Sequence, residues 1–241
     1  MFDAQTNEML IQGVKDTLYM TLGATALGYA VGLPMGVTLA VTDKNGLKPN
    51  AFIYRIFDFI ANVVRSIPFL ILLIIMIPVT RFIVGQSYGA SATIIPLVAT
   101  AAPYIARLVE SSLKEVDTGV IEAAKSMGAS NFHIIFKVLL VESRTSLILG
   151  ATIATGTILG YSAMAGTVGG GGLGDIAVRY GYYRWQTDIL MVAVILIIVI
   201  FQIIQNTVAF ITGVNDDTAE RFLIRHDVAV CFQLPDRNGL H

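Results

Sequence analysis

The sequence predicts an all-α, polytopic membrane protein with five transmembrane helices, and three observations carry that prediction. Apolar residues make up 55% of the 241 residues and charged residues only 14%, where an average soluble domain is about 25% charged. Four windows, 17–42, 82–106, 145–174 and 189–215, contain no charge at all. Each can supply the roughly 20 apolar residues that a helix needs to cross a ~30 Å hydrocarbon layer. A fifth run, Ser66–Thr80, reaches spanning length when extended back through Phe59–Val64, at the cost of one interior charge, Arg65.

Taken in order, the spans are expected at 17–42, 58–80, 87–107, 145–168 and 189–213. The first is too long for a secretory signal, and its leading flank holds Asp3, Glu8 and Asp16 against one lysine. Ala24, Gly28, Gly32 and Gly36 recur in it every four residues, a small-residue face suited to close helix packing. The second span carries Pro68, Pro78 and Arg65, the last two turns beyond Asp58 on the same face. Snorkelling to the interface is favoured there over a pore role. The third contains Pro96 and Pro103 and ends at Arg107 and Glu110, whose i, i+3 spacing suits a local ion pair. The fourth brings Gly156 and Gly160 beside Thr152, Thr155, Thr157 and Ser162. That face fits a translocation path, although threonines equally often bond their own helix carbonyls. With Pro34, five of the seven prolines lie inside spans, which implies kinked helices facing protein or a wet path. Residues 1–215 are read as a single transmembrane domain and 216–241 as a cytoplasmic tail of unidentified role.

Lys and Arg orient the chain. The loops 43–58 and 107–144 and the tail together hold eleven, whereas the opposite side holds Lys15, Arg81, Arg179 and Arg184. The richer side is expected to be cytoplasmic, with the N-terminus outside and the C-terminus inside.

Other chemistry is excluded. Sixteen basic residues against seventeen acidic ones give a net charge of −1, which rules out a broadly basic nucleic-acid binder. A single cysteine, Cys231, allows neither an intrachain disulfide nor a cysteine metal cluster. Gly169–Gly174 matches G-x-G-x-x-G but follows a membrane helix instead of a strand, so the match is coincidental. There is no P-loop. His133, His226 and His241 are scattered, and Ser162 lacks the second glycine of a nucleophile elbow. Nothing argues for an enzyme or a bound metal.

The loop 107–144 is too long and patterned for a simple connector. Thr118 or Gly119 can cap a short helix with Glu122 in its first turn. Ala123 and Ala124 would leave a flat face, and Gly128 can end the helix at its C′ position. Ser130 can then cap a second helix, Asn131–Glu142. Such a short, rigid helix suits docking into a partner's groove, as it also suits an ordinary interfacial hairpin.

Glu122-Ala-Ala-Lys-Ser-Met-Gly128-Ala129 resembles the EAA signature of permease subunits in binding-protein-dependent ABC importers. Val138-Leu-Leu140 stands where that pattern has its hydrophobic-x-Leu, with Val141 replacing the following proline. Arg65-Ser-Ile-Pro-Phe69, Ile77–Gly85, Gly160-Tyr-Ser-Ala-Met164 and Gly171-Gly-Leu-Gly174 are similar to the methionine-importing branch. The resemblance covers about residues 10–212 and fails in the tail. It implies a multi-pass permease of a bacterial inner membrane, forming a homodimeric pore. Two ABC ATPase subunits would grip Glu122, Ala123, Ala124, Gly128 and Ala129, so that ATP and magnesium sit on those partners and this chain needs no cofactor. An external binding protein would deliver methionine, and Met164 becomes the gate candidate beside Gly156, Gly160 and Ser162. A secondary transporter should show inverted repeats and acids within the uncharged windows, and neither is evident. A non-transporting membrane scaffold would need no prolines or threonines in its spans.

Overall fold

The computed structural model describes residues 3–212, so the expected tail at 216–241 lies outside the described residues. The chain runs through α1 (Ala4–Thr42), α2 (Ala51–Ser66), α3 (Phe69–Ile75), α4 (Ile77–Val84), α5 (Ala90–Lys114) and α6 (Thr118–Ser126). A second helical stretch follows: α7 (Asn131–His133), a π-helical segment Ile134–Leu139 and α8 (Leu140–Glu142). Then come α9 (Arg144–Ala165), α10 (Gly172–Ile176), a π-helical segment Ala177–Tyr182 and α11 (Thr187–Thr212). Four helices, α1, α5, α9 and α11, are long and apolar enough to cross a membrane; a fifth crossing exists if α2 and α3 count as one bent span.

That bend corrects the continuous helix expected at 58–80. The α2–α3 junction turns by 103°, and the cause is local. Pro68 has no N–H to continue the ladder, and Ile67 before it is extended at φ −86°, ψ 123°. A second break at Met76 precedes Pro78. The buried side chains Phe69, Leu72 and Leu73 hold α3 in place, with Phe69 stacked on Tyr161 of α9 at 4.8 Å between ring centroids.

The first helix also differs from expectation, starting at Ala4 instead of residue 17. The Asp3 carboxylate caps it, accepting from the Ala4 N–H at 2.8 Å. Protein packing then supports the charged stretch before the apolar window. Leu10 and Gly13 are buried against α10, and the Thr17 hydroxyl accepts the Leu173 N–H at 2.9 Å.

The core lies between α1 and α5. A Cβ on Gly32 would stand 2.6 Å from the Ala102 carbonyl oxygen, and one on Gly36 would stand 2.5 Å from that of Ala106. The two backbones therefore touch. Hydrocarbon offers helices little hydrophobic reason to associate, so this close approach and its dispersion contacts supply the adhesion. Met20, Ala24, Leu97, Ala101, Ile105 and Val109 complete the buried seam.

At the end of this seam an ionic network joins three elements. Arg107 donates to Asp58, to Asn62 Oδ1 at 2.8 Å and to Glu110 Oε2 at 2.7 Å. Lys114 donates to Glu110 Oε1 at 2.7 Å and pairs with Asp43, past the end of α1, at 3.3 Å. The Tyr54 hydroxyl donates to Glu110 at 3.2 Å. The anticipated Arg107–Glu110 pair is therefore one link of a larger net. Glu110 is only 4% exposed, and its three donors offset the cost of removing it from water. Arg65, expected to snorkel, lies over the Tyr104 ring of α5 at 6.0 Å.

Two outcomes follow for stability. Gly36→Val should destabilise the fold by about 1–3 kcal/mol through overpacking, read as a lower thermal unfolding midpoint in detergent. Gly150→Ala, whose Cβ would meet Leu108 at an ordinary 3.6 Å, is the control and should leave the midpoint unchanged. Arg107→Leu should cost about 3 kcal/mol or more, because it strips a buried carboxylate of one partner. Adding Glu110→Gln should recover part of that loss in the same measurement.

Candidate functional site

The connection from α5 to α9 carries a run of exposed, structured residues. Asp117 begins it. Its carboxylate accepts the Gly119 N–H at 2.6 Å, so the cap is Asp117 and not Thr118 or Gly119. Helix α6 therefore starts at Thr118 and Glu122 is its fifth residue, past the first turn where it was expected. At that position the helix dipole contributes little to Glu122, because the effect fades beyond the first turn. The side chain is exposed instead.

The two alanines do not form one flat face. Successive helical residues point about 100° apart, and here Ala123 is exposed whereas Ala124 is buried. Ala124 roots α6 in the core with Leu113, Ile134 and Leu139. Ala123 and Glu122 face away from it. The helix then stops sharply. The Gly128 N–H donates to the Lys125 carbonyl at 2.9 Å and the Ala129 N–H to that of Ala124 at 3.1 Å, a Schellman arrangement that satisfies the last carbonyls. Gly128 has φ +79° with nothing within 4 Å of where a Cβ would sit. Its glycine is thus demanded by backbone conformation and not by crowding. The Ser130 hydroxyl accepts the His133 N–H at 3.3 Å and starts the next stretch as expected.

Sequence reasoning missed three residues of this surface. Met127 is 82% exposed, and Phe132 and Phe136 are exposed with ring centroids 4.4 Å apart. The available signal was the i, i+4 spacing of two phenylalanines one turn after a glycine stop. With Glu122 and Ala123 they give this connection exposed apolar groups and a carboxylate, the residue types a helix-in-groove contact uses. Val141, which stands where the motif has proline, is exposed and lies within α8.

The pore candidates on α9 separate into two groups. Met164 is 49% exposed, and Gly160, one turn before it, is exposed with open space at its Cα. Those two share an open face. Gly156 is covered, since a Cβ there would stand 2.7 Å from the Phe201 ring of α11. Ser162 is buried, donating to the Leu159 carbonyl at 2.8 Å, with the Thr21 hydroxyl 3.5 Å away. Thr152, Thr155 and Thr157 donate to carbonyls of their own helix at 3.1, 2.7 and 2.9 Å. All three threonines therefore make the intrahelical bonds that the sequence offered as the alternative to a path-lining role. Gly28, Gly32 and Gly36 lie against α5. The Gly169–Gly174 run forms a turn into α10, with no strand before it.

Known proteins share both the sequence and this arrangement. Residues 32–213 match the family model described as binding-protein-dependent transport system inner membrane component. The probable D-methionine transport system permease protein MetI of Vibrio cholerae is 48% identical over 203 residues, covering 84% of this chain and 90% of the relative. The D-methionine transport system permease protein MetI of Escherichia coli K12 is 50% identical over 158 residues, covering 66% of this chain and 73% of the relative. A solved structure of the MetNI methionine ABC transporter in an inward-facing conformation superposes with a TM-score of 0.86 at 44% identity, covering 88% of this chain and 98% of that one. An amino acid ABC transporter at 18% identity and a TM-score of 0.72 shares the fold. The chain belongs to the family of inner-membrane components of binding-protein-dependent transport systems.

Proposed function

We propose that this chain is the permease subunit of an ATP-driven methionine importer. It would work as a homodimer with two ABC ATPase subunits and an external binding protein, its N-terminus outside and its C-terminus in the cytoplasm. One observation supports this above the others. The rigid, outward-facing α6 is anchored to α5 through Ala124 and a short linker, and it sits on a chain that has no nucleotide-binding motif. Energy released on a separate subunit then needs a stiff element to enter the spans, and α6 offers one. The substrate reading rests on the relatives named above. A secondary transporter would need a titratable intramembrane acid free to exchange ions, and Glu110 is held by three donors.

In this reading Glu122 and Ala123 touch the ATPase, whereas Ala124 transmits the movement and Gly128 fixes the angle at which α6 is presented. Gly128→Val would place a β-branched side chain at φ +79°, costing about 1–2 kcal/mol locally and tilting the helix. Glu122→Lys would reverse an exposed charge without touching the core. Both variants should remain folded and inserted while losing co-purification with the ATPase or uncoupling hydrolysis from methionine uptake in vesicles. Normal binding together with parental uptake in both would remove α6 from the coupling path.

Orientation has its own measurement. In a Cys231→Ser background, Asn7→Cys and Gln86→Cys, both at exposed positions, should label with an impermeant thiol reagent from outside, and Asn50→Cys and Ser126→Cys only from inside. Outside labelling of Ser126→Cys would invert the arrangement. The gate is tested separately. Met164 and Gly160 share the open face of α9, so Met164→Cys should cross-link to its symmetry mate, less strongly when ATP is trapped on the partners. Cross-linking that ignores the nucleotide state would indicate a static contact.

A further inference from the structure

At the end of the bundle opposite α6, the chain leaves the π-helical segment Ala177–Tyr182 and enters α11 through Tyr183, Arg184, Trp185 and Gln186. The coupling and gate residues proposed above lie elsewhere, and the residues of this turn are specific. Trp185 is 86% exposed and has φ +57°, the one positive φ of a non-glycine residue among the described residues. A bulky side chain adopts that region only against a conformational penalty. The turn is pinned there, with the Gln186 N–H donating to the Tyr180 carbonyl and the Thr187 N–H to that of Trp185, both at 3.1 Å. Tyr182 and Tyr183 are exposed, edge to face at 5.3 Å.

Next in the chain stands a cation without a carboxylate partner among the described residues. The Arg184 guanidinium lies 4.7 Å from the Tyr180 ring centroid, and among the described residues it forms no ion pair. Arg179, by contrast, pairs with Asp175 at 2.8 Å. The contact with Tyr180 engages one face of the exposed guanidinium, whose in-plane N–H groups can bond a planar or tetrahedral anion.

Depth identifies the anion. Helix α11 has the highest mean hydropathy of the long helices, 2.8, and its last charge before the apolar run is Asp188. Trp185 is three residues further out, about 5 Å if helical and at most about 10 Å if extended. The polar headgroup layer is itself roughly 5–8 Å thick on each side, a thickness of the same scale as that distance. Tryptophan and tyrosine favour this depth, and Met191, Val194, Ile195 and Ile198 continue from it as an exposed apolar stripe fit for an acyl chain.

We propose that Tyr182, Tyr183, Arg184 and Trp185 form a binding site for the phosphate of an anionic phospholipid, anchoring the start of α11 on the membrane face opposite α6.

Trp185 is the sole tryptophan of the chain, so its emission reports on the site directly. The full chain is reconstituted in nanodiscs of phosphatidylcholine, doped with either phosphatidylglycerol or phosphatidylcholine brominated near the top of the acyl chains. Brominated phosphatidylglycerol should quench Trp185 at about fivefold lower mole fraction, the preference that one basic residue near an anionic surface supplies. In Arg184→Gln the two quenching curves should coincide. Coincident curves in the parent chain would overturn the proposal without reference to any variant. So would quenching by aqueous acrylamide as strong as for free tryptophan in both lipids, which would mark a water-facing surface open to a soluble partner.

Discussion

The contact between α1 and α5 is the constraint on which the remaining architecture depends. Gly32 and Gly36 let the α1 backbone reach the Ala102 and Ala106 carbonyls, and α2, α9 and α10 pack directly on that pair. Helix α10 closes over the outer part of α1, as the Leu173–Thr17 hydrogen bond shows. The Gly169–Gly170 turn is tied to the start of α5 by the Gly89 N–H, which donates to the Gly169 carbonyl at 2.9 Å, and by the Thr93 hydroxyl, which donates to that of Gly170 at 3.3 Å. In lipid such geometry matters more than apolarity, because the surrounding solvent is as apolar as the side chains.

At the other end of α5, polar contacts take over from close packing. Asp43, Tyr54, Asp58 and Asn62 converge on Arg107, Glu110 and Lys114, binding α1 and α2 to the last turns of α5. Those turns lead within three residues into α6. A movement imposed on α6 therefore meets a stiff assembly and not a lone helix. This arrangement also gives α2 two characters. Asp58 and Asn62 face α5, while Phe52, Ile56, Phe59, Ile60 and Val63 form an exposed apolar face.

Much of the site was legible in the sequence because its signals are local. Gly128 as a helix stop and Ser130 as the next cap follow from backbone propensities. The orientation of α6 was not legible. Which of Ala123 and Ala124 faces outward depends on where Leu113, Ile134 and Leu139 lie, and no local rule supplies that. On α9, Gly156 and Gly160 read alike, yet Phe201 of α11 covers only the first. Met127, Phe132 and Phe136 escaped notice because apolar residues in a membrane protein read first as core or lipid-facing.

The sequence by itself determined the solvent, the class and the membership. Uncharged windows, placed prolines and the EAA-like motif are one-dimensional features, and each acts through the chain's own covalent and helical geometry. Tertiary structure decided how far α1 extends and how the helices are disposed against one another. It extended α1 back to Ala4 because α10 packs on it, and it held α3 at 103° to α2 by burying Phe69 against Tyr161. It also turned an expected ion pair into a seven-residue network by bringing α2 beside α5. These outcomes depend on residues far apart in the chain, and contacts of that kind leave no periodic mark on the segments that make them.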